Sequence, residues 1–366
     1  MPKSKNFLRL FLTIAFNLSV TAVHPGEYPH FEKVAELAVS GTAEKIWVND
    51  DLAFLTAEGE GLILIDITDP SHPVRLGTYD GGGEAVGLSE DGETLFTENE
   101  ILDISDPSAP TFIASYPESI LISAVSGSLV YGVTNNYIAV IDVSDRNHPM
   151  VIGSGSRKGG GLKTTTTYST WLSNLVFHED RLIHVKNYGN FSDYQHQHLL
   201  YETDVTNPAG TLIGKQIANL YQHEAGRIEI VQNRLIGWAT VLASSMVIFD
   251  FDKKVSSSIG LYPRAVAGPS QNLFVLPERS EVPLTVVDLT IFPDIQKISE
   301  TNLGEARDLD FANDLLYVAH AEAGLLILEY QDPRILDADS RADINEDGIV
   351  DGKDLSILMH EMKNAE

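Results

Sequence analysis

The chain has 366 residues, of which 43% are hydrophobic, and this content excludes a mainly disordered protein. Its 52 acidic and 25 basic residues give a formal net charge of -27, which repels nucleic-acid phosphates and anionic membrane surfaces. We therefore expect no nucleic-acid partner. The chain has no cysteine, so its stability must come from packing and strand closure.

Residues 1–22 have the features of a secretory signal peptide. Three basic residues within the first nine precede an apolar run over residues 10–16, and small residues at positions 20–22 suit cleavage. An uncleaved membrane anchor is the alternative, but it needs about 20 apolar residues, and this run is shorter and lies between Arg9 and Asn17. We therefore expect a secreted protein, free or associated with the cell surface, with no integral membrane span after cleavage.

A strand-like apolar run that ends in an acidic residue recurs seven times along the chain. The terminal acids are Asp66, Asp103, Asp142, Asp204, Asp250, Asp288 and Glu329. Successive acids are 37, 39, 62, 46, 38 and 41 residues apart. A period near 40 with several short strands and no helical periodicity is typical of a four-stranded β-propeller blade.

The first repeat allows the four strands of a blade to be placed. The predicted strands a to d are Lys45–Val48, Leu52–Thr56, Gly61–Asp66 and Val74–Tyr79. Strand c is apolar on both faces, as expected where neighbouring blades cover both sides of a sheet. The seventh repeat lacks strand d, and the spare strand Phe31–Ala38 is predicted to supply it and close the ring. The sequence therefore predicts an all-β fold, a seven-bladed β-propeller over residues 31–333.

The acids that end the apolar runs have two candidate roles, a structural role in the turn and metal binding. Asp side chains accept hydrogen bonds from backbone N–H groups ahead of them in turns, which favours a structural role. The alternative, in which Asp66, Asp103 and Asp142 bind a metal, requires convergence that the symmetry of successive blades opposes.

The segment from Gly61 to Gly77 resembles the LVIVD repeat family. It has Gly-Leu, an apolar run, an Asp-Ile-Thr-Asp-Pro turn and a Pro-x-x-x-Gly strand. The resemblance covers about residues 31–333, and it is closer in the first three repeats than in the last four. It implies an exported, often surface-associated propeller without an assigned catalytic activity, and it supplies no catalytic residues.

The 62-residue interval between Asp142 and Asp204 contains two insertions, Ser156–Ser169 between blades and Asn187–Gln197 between strands b and c. In an antiparallel blade both connections emerge at the same end, so we expect them to form a binding surface. Basic and aromatic side chains there suit carbohydrate or peptide recognition, and a decorated loop without a ligand is the alternative. The candidate residues are Arg157, Lys158, Lys163, Tyr188, Phe191, Tyr194 and His196.

No catalytic residue is predicted, because the chain lacks a Gly-x-Ser-x-Gly elbow and a His-Glu-x-x-His helix. The closely spaced His178, His184, His196 and His198 suggest zinc, but their placement on different strands and the absence of cysteine oppose it. An extracellular polysaccharide-active or lactonase-like hydrolase or lyase remains the alternative function, since propellers also host enzymes.

Residues 343–354, DINEDGIVDGKD, follow a linker over residues 334–342 and have the spacing of a calcium-binding loop. The predicted ligands are Asp343, Asn345, Asp347, the Ile349 carbonyl, Asp351 and Asp354. An apolar helical stripe follows from Leu355 to Met362. The segment over residues 343–364 resembles a dockerin repeat, and closure by Asp at position twelve fits that family.

The dockerin resemblance implies calcium binding and suggests a cohesin-like partner. Dockerins usually carry two repeats, whereas this chain has one. In addition, Gly352-Lys353 occupies the positions at which dockerins often carry a Ser/Thr pair that recognises the partner. The resemblance therefore supports calcium binding more strongly than cohesin binding. Together these features predict a secreted, calcium-binding interaction protein with an extracellular protein or polysaccharide partner.

Overall fold

The structure is a computed structural model. It describes residues 29–332 except residues 82, 118–119, 135–136, 157–168, 191–194, 210, 213, 221–226, 232, 239–244, 270 and 280–281. The predicted signal peptide and calcium module lie outside the described residues. The part of the chain that the structure describes contains strands and turns, and no helix there is long and apolar enough to cross a membrane.

The described residues form seven blades, and each blade is an antiparallel sheet numbered here along the chain. The first strand, β1 (His30–Leu37), belongs to the last blade. Blade 1 consists of β2 (Thr42–Asn49), β3 (Leu52–Glu58), β4 (Gly61–Asp66) and β5 (Val74–Tyr79). Blade 2 consists of β6 (Ala85–Leu88), β7 (Thr94–Thr97), β8 (Glu100–Asp103) and β9 (Thr111–Ser115). Blade 3 consists of β10 (Leu121–Ser126), β11 (Leu129–Val133), β12 (Tyr137–Asp142) and β13 (Met150–Ser156).

Blade 4 departs from the four-strand pattern. Its strands are β14 (Ser169–Leu172), β15 (Val176–His178), β16 (Arg181–Asn190), β17 (Gln195–Asp204) and β19 (Gly214–Asn219). The short strand β18 (Thr211–Leu212) lies between β17 and β19 in the chain but pairs in parallel with β13 of blade 3. This strand covers the outer edge of blade 3, which would otherwise present unpaired backbone groups.

The remaining blades return to four strands. Blade 5 consists of β20 (Arg227–Val231), β21 (Arg234–Trp238), β22 (Met246–Asp250) and β23 (Val255–Ile259). Blade 6 consists of β24 (Pro263–Ala267), β25 (Asn272–Pro277), β26 (Leu284–Asp288) and β27 (Gln296–Thr301). Blade 7 consists of β28 (Ala306–Ala312), β29 (Leu315–His320), β30 (Gly324–Gln331) and β1.

The ring closes through β1, as the sequence predicts. This strand pairs antiparallel with β30, from His30 opposite Gln331 to Leu37 opposite Leu325, and so becomes the outer strand of blade 7. The Phe31 ring meets the ring of Phe274 in blade 6 edge-on, with 5.0 Å between centroids. The first strand of the propeller thus completes its last blade. The prediction of seven blades is confirmed.

The hydrophobic core is divided among the interfaces between neighbouring blades. Strand β4 shows the principle, because Ile63 and Ile65 pack toward blade 7 while Leu62 and Leu64 pack toward blade 2. All four side chains are almost fully buried. Burying one such side chain contributes roughly 1.5–3 kcal/mol, so blade packing explains the continuous apolar runs at strand c.

Six of the seven acids that end the apolar runs accept a hydrogen bond within their own turn, namely Asp66, Asp103, Asp142, Asp204, Asp250 and Asp288. Carboxylate oxygens of Asp66, Asp103 and Asp142 accept hydrogen bonds from the backbone N–H two residues ahead, at 2.9, 2.9 and 2.8 Å. Side-chain and backbone hydrogen bonds from Thr68 and Ser144 lower the pKa of Asp66 and Asp142, and backbone and side-chain hydrogen bonds from Ser105 lower the pKa of Asp103. The geometry is that of an Asx turn, which gives these residues a structural role.

The second insertion is mostly strand. Strands β16 and β17 continue to Asn190 and begin at Gln195, and their pairing stays in register throughout. The treatment of residues 187–197 as an inserted loop was therefore wrong for most of this segment. The reason is that the added part of β16 pairs with β14 on one side and with β17 on the other. The hairpin is therefore stabilised as strand by a second antiparallel pairing.

Candidate functional site

The inner strands of the blades surround a central channel that contains a cavity of about 500 Å³. Six of the seven blades contribute to its lining, and the charged residues of the lining come from blades 2, 5 and 7. These charged residues are Glu84, Glu98, Arg227, Glu229, Asp308 and Asp310. The channel therefore collects side chains that are far apart in sequence.

Glu84 connects three blades through ion pairs. Its Oε2 lies 3.4 Å from Lys45 Nζ in blade 1, and its Oε1 lies 3.4 Å from a guanidinium nitrogen of Arg227 in blade 5. Lys45 Nζ also lies 3.7 Å from Asp308 Oδ2 in blade 7. Blades 2 and 5 are three positions apart in a ring of seven, so the Glu84–Arg227 pair reaches across the channel.

Two carboxylates of blade 7 also bind the backbone of blade 1. The N–H of Ile46 donates to Asp308 Oδ2 at 3.2 Å, and the N–H of Val48 donates to Asp310 Oδ2 at 2.7 Å. Inner strands of neighbouring blades do not pair with each other. The backbone N–H groups of Ile46 and Val48 therefore donate to side-chain carboxylates instead of to carbonyl groups of a neighbouring strand. Asp308 and Asp310 therefore link blade 7 to blade 1, where the ring closes.

Three acidic groups of the channel, Glu229, Asp308 and Asp310, bind protons more tightly than ordinary carboxylates. Burial, together with the nearby charge of Asp308, raises the pKa of Glu229 to about 8. Burial raises the pKa of Asp308 to about 7, against the effect of Lys45. Burial likewise raises the pKa of Asp310 to about 6, against the hydrogen bond from Val48. Carboxyl groups with these values can exchange protons near neutral pH, which is a property of many functional sites.

Glu98 and Glu229 face the channel near Arg227, whose charge acts on both side chains. The side chains of Glu98 and Glu229 make no hydrogen bond or ion pair with other residues that the structure describes. Burial and the charge of Glu84 raise the pKa of Glu98. Trp47 and Leu121 line the same cavity, so the site combines acidic and apolar surface.

The sequence reasoning missed this cluster. Its signal is present as alternating polar and apolar residues in the inner strands, in Arg227-Ile228-Glu229 and in Asp308-Leu309-Asp310. Such alternation marks strands with one face in contact with water.

The predicted binding residues of the insertions are only partly described. Arg157, Lys158, Lys163, Phe191 and Tyr194 lie outside the described residues. The backbone of the other two predicted positions is described: Tyr188 lies in β16 opposite Gln197, and His196 lies in β17 opposite Gly189.

The backbone register brings the ends of the two insertions together. Ser169, the last residue of the first insertion, pairs with Gly189 in the second. This is the end of the ring at which inner strands begin; Glu84 directly precedes β6 and Arg227 is the first residue of β20, so both lie at the same end. We call the end that carries Glu84, Glu98, Arg227 and the outer part of the β16–β17 hairpin the Glu84 face.

Three of the four candidate zinc histidines have separate structural surroundings. His178 hydrogen-bonds Asn233 and stacks on Phe251, with 3.8 Å between ring centroids. His184 stacks on Tyr201, and burial followed by the charge of Lys186 lowers its pKa to about 4. Within the described ranges, no three His, Cys, Asp or Glu side chains are grouped so that they could hold a metal ion.

The third of these histidines, His198, is paired with an amide. Its Nδ1 lies 2.7 Å from Asn187 Oδ1 in the buried part of the β16–β17 hairpin. The side chain of His196 is outside what the structure describes.

Comparison with known proteins finds LVIVD repeats at residues 40–81, 100–117 and 123–155. These ranges fall in blades 1 to 3, where the repeat pattern is closest in sequence. No curated protein matches the chain. The chain is thus a seven-bladed β-propeller with LVIVD repeats in its first three blades.

Solved structures share this fold at low sequence identity. A putative 6-phosphogluconolactonase from Bacteroides uniformis has a TM-score of 0.52 and 13% identity, and the match covers 74% of this chain and 90% of that one. The WD40 β-propeller domain of Doa1 has a TM-score of 0.52 and 10% identity, over 83% and 98% of the two chains. The computationally designed Ika8 protein has a TM-score of 0.50 and 11% identity, over 82% and 100%. These likenesses concern the fold alone.

Proposed function

We propose that this propeller is an extracellular interaction module that binds a protein or glycan partner on its Glu84 face. The observation that carries the proposal is the extended β16–β17 hairpin beside the charged channel mouth on that face. Each strand of the hairpin has ten residues, whereas the other described strands have two to eight. At about 3.3 Å per residue, the added length gives this blade extra surface next to the channel.

An exposed apolar side chain supports the same face. Leu121, the first residue of inner strand β10, is 56% exposed and lines the channel cavity. A large apolar side chain among polar groups is a common anchor in binding surfaces. The insertions add the basic and aromatic residues that the sequence offers for peptide or carbohydrate recognition.

A matched pair of surface variants tests the face. Leu121→Asp should abolish binding of any glycan or protein found in an array screen, because a buried charge in an apolar contact is strongly unfavourable. Ile291→Asp is the control, since Ile291 is 54% exposed but follows β26 at the opposite end of the ring. Loss of binding in the control, or retained binding in Leu121→Asp, would move the site away from the Glu84 face.

A second candidate function is an extracellular hydrolase or lyase that acts on a polysaccharide or a lactone. The raised pKa values of Glu229 and Asp308 favour it, because a protonated carboxyl group can serve as a general acid at neutral pH. Assays of polysaccharide and lactone turnover with wild type and Glu229→Gln decide between the two. Turnover that Glu229→Gln abolishes, with intact folding, would favour the enzyme over the interaction module.

We further propose export through residues 1–22 and binding of one calcium ion by residues 343–354. The support is the sequence pattern: the four predicted carboxylate ligands, Asp343, Asp347, Asp351 and Asp354, lie within twelve residues and repel one another until a cation joins them. A single loop of this kind should have a dissociation constant on the order of 10⁻⁴ to 10⁻³ M.

Calorimetry tests the calcium proposal directly. Asp343→Ala should remove calcium binding, because Asp343 occupies position one of the loop, whereas Glu346→Gln at the non-ligating position four should leave it unchanged. Asp351→Ala should only weaken binding, since position nine commonly acts through water. Equal heats in wild type and Asp343→Ala at millimolar calcium would remove both the calcium site and the basis of the dockerin resemblance.

A further inference from the structure

We propose that the central channel binds a compact organic cation with an aliphatic body, such as an alkyl diamine or a short polyamine. This inference goes beyond the proposed function, because it concerns a small-molecule site inside the ring and does not require a macromolecular partner on the Glu84 face.

The first step is the charge balance of the channel. Glu84, Glu98, Glu229, Asp308 and Asp310 supply five carboxylates, and Lys45 and Arg227 are the cations that ion-pair with them in the described part of the chain. Both cations are engaged by Glu84, and Lys45 reaches Asp308 as well.

The second step is the state of Glu229. Its side chain faces the cavity with no hydrogen-bond or ion-pair partner among the described residues, and Asp308 is the largest charge acting on it. A carboxylate removed from water is costly unless it is protonated or paired with a cation. The charge of Arg227 acts on Glu229 without forming an ion pair with it, and an ammonium group placed next to Glu229 would supply that direct pair.

The third step concerns the shape of the cation. The channel carboxylates come from blades 2, 5 and 7, and no three of them are close enough together to hold one metal ion, which needs oxygen ligands at 2.3–2.6 Å. A ligand whose positive groups are separated by a flexible chain can form ion pairs with carboxylates that different blades contribute to the channel. It would meet Glu98 and Glu229 with different ends.

The fourth step is the apolar part of the lining. Trp47, Leu121, Ile122 and Val133 border the same cavity, so methylene groups would lie against apolar surface while ammonium groups meet carboxylates. The volume of about 500 Å³ is in the range of small-molecule sites. Neutral sugars and anions lack the charge that this lining would complement.

Calorimetry on the full chain in about 0.15 M salt tests the proposal with putrescine and spermidine, because that salt screens non-specific attraction to the acidic surface. We expect one site per chain, and we expect 1,4-butanediol, which has the same carbon chain without charge, not to bind. Binding should be weaker at pH 6.5 than at pH 8.5, since the amine competes with a proton on Glu229. It should also release protons, which buffers of different ionisation enthalpy detect.

The deciding variants are Glu229→Gln and Glu93→Gln. Glu229→Gln should weaken amine binding by about tenfold or more, because a charge-assisted contact is lost. Glu93 is exposed in the turn between β6 and β7 at the opposite end of the ring, so Glu93→Gln should bind as wild type does. If Glu229→Gln fails to fold, Glu98→Gln replaces it with the same expectation.

Several results would overturn the proposal. Absence of saturable amine binding at millimolar concentration would mean that protons alone satisfy the channel carboxylates. Equal weakening in Glu93→Gln would mean non-specific attraction to the acidic surface. Displacement of the amine by calcium in the Asp343→Ala protein would identify the channel as a metal site instead. Partner binding by the Glu84 face is measured separately, so its failure would leave the amine result intact.

Discussion

At the scale of single residues, Gly77 shows why the repeat carries a glycine in its outer strand. A Cβ atom at this position would lie 2.4 Å from the Pro107 carbonyl oxygen and 2.7 Å from that of Ser108. Both oxygens belong to the turn before β9, so the outer strand of blade 1 touches the backbone of blade 2 here. The Pro-x-x-x-Gly part of the repeat is therefore a packing requirement between blades.

Gly77→Ala should lower the free energy of unfolding by about 1–3 kcal/mol, because backbone atoms on the facing blade cannot yield as a side chain can. Gly260→Ala is the matched control, since nothing lies within 4 Å of a Cβ atom built there, and it should change stability by less than about 0.5 kcal/mol. Urea denaturation of the three proteins checks this expectation. Similar stability of both variants would show that blades 1 and 2 are not in tight contact at Gly77.

At the scale of elements, strand β1 closes the ring. It gives blade 7 its outer strand, and its Phe31 packs into an aromatic group with Phe274 and Tyr330. The ring has no disulfide to secure its ends. Strand pairing and this aromatic contact therefore hold the closure, since aromatic pairs contribute about 0.5–1.5 kcal/mol beyond the area they bury.

Phe31→Ala should lower the free energy of unfolding by about 1–3 kcal/mol, because it removes the contacts between β1 and blade 6. Phe112→Ala removes a ring of the same size from outer strand β9, where it is 51% exposed, and should have a much smaller effect. Guanidinium denaturation followed by tryptophan fluorescence measures the difference. Equal effects would mean that closure by β1 adds little to stability.

At the scale of the whole molecule, the ring concentrates acidic groups at its axis. Glu229, Asp308 and Asp310 lie in the channel with Glu84 and Glu98, and only Lys45 and Arg227 oppose them in the part that the structure describes. The raised pKa values of Glu229, Asp308 and Asp310 mean that the folded state binds protons more tightly than the unfolded chain. The channel therefore links proton binding to the stability of the entire ring.

The free energy of unfolding should fall as the pH rises from about 4.5 to about 8, because in this window Glu229 keeps its proton in the folded state and loses it in the unfolded state. The contribution is complete below the ordinary value of 4.5 and is lost as the pH passes 8. Asp308 and Asp310 act in the same direction up to about pH 7 and 6. Thermal melting across this range measures the slope.

The same melting series on variants identifies the groups responsible. Glu229→Gln should flatten the decline between pH 6 and 8, since its side chain does not ionise, whereas the exposed Glu93→Gln should follow wild type. A wild-type melting temperature that rises from pH 5 to pH 8 would contradict the expected sign. It would show that the channel carboxylates are already ionised and compensated.

The sequence by itself determined the repeat, the blade strands, the turns and the closure by residues 31–38. Those features follow from local physical rules: apolar runs form strands covered on both sides, Asp66 and its equivalents bind the next backbone N–H groups, and a missing outer strand must be supplied from elsewhere. It also indicated that the two insertions in blade 4 emerge together, because strand direction alternates within a blade.

Only the tertiary structure decided where the charged site lies. Lys45, Glu84, Arg227 and Asp308 come from four repeats spread over more than 260 positions, and each looks like an ordinary polar residue of a half-exposed strand. Their meeting depends on the number of blades and on the closure of the ring, which set the width of the channel. The same holds for the β16–β17 hairpin, because its added residues are strand only through pairing with β14. Local pattern specifies what a blade is, whereas the closed ring specifies which side chains face one another across its axis.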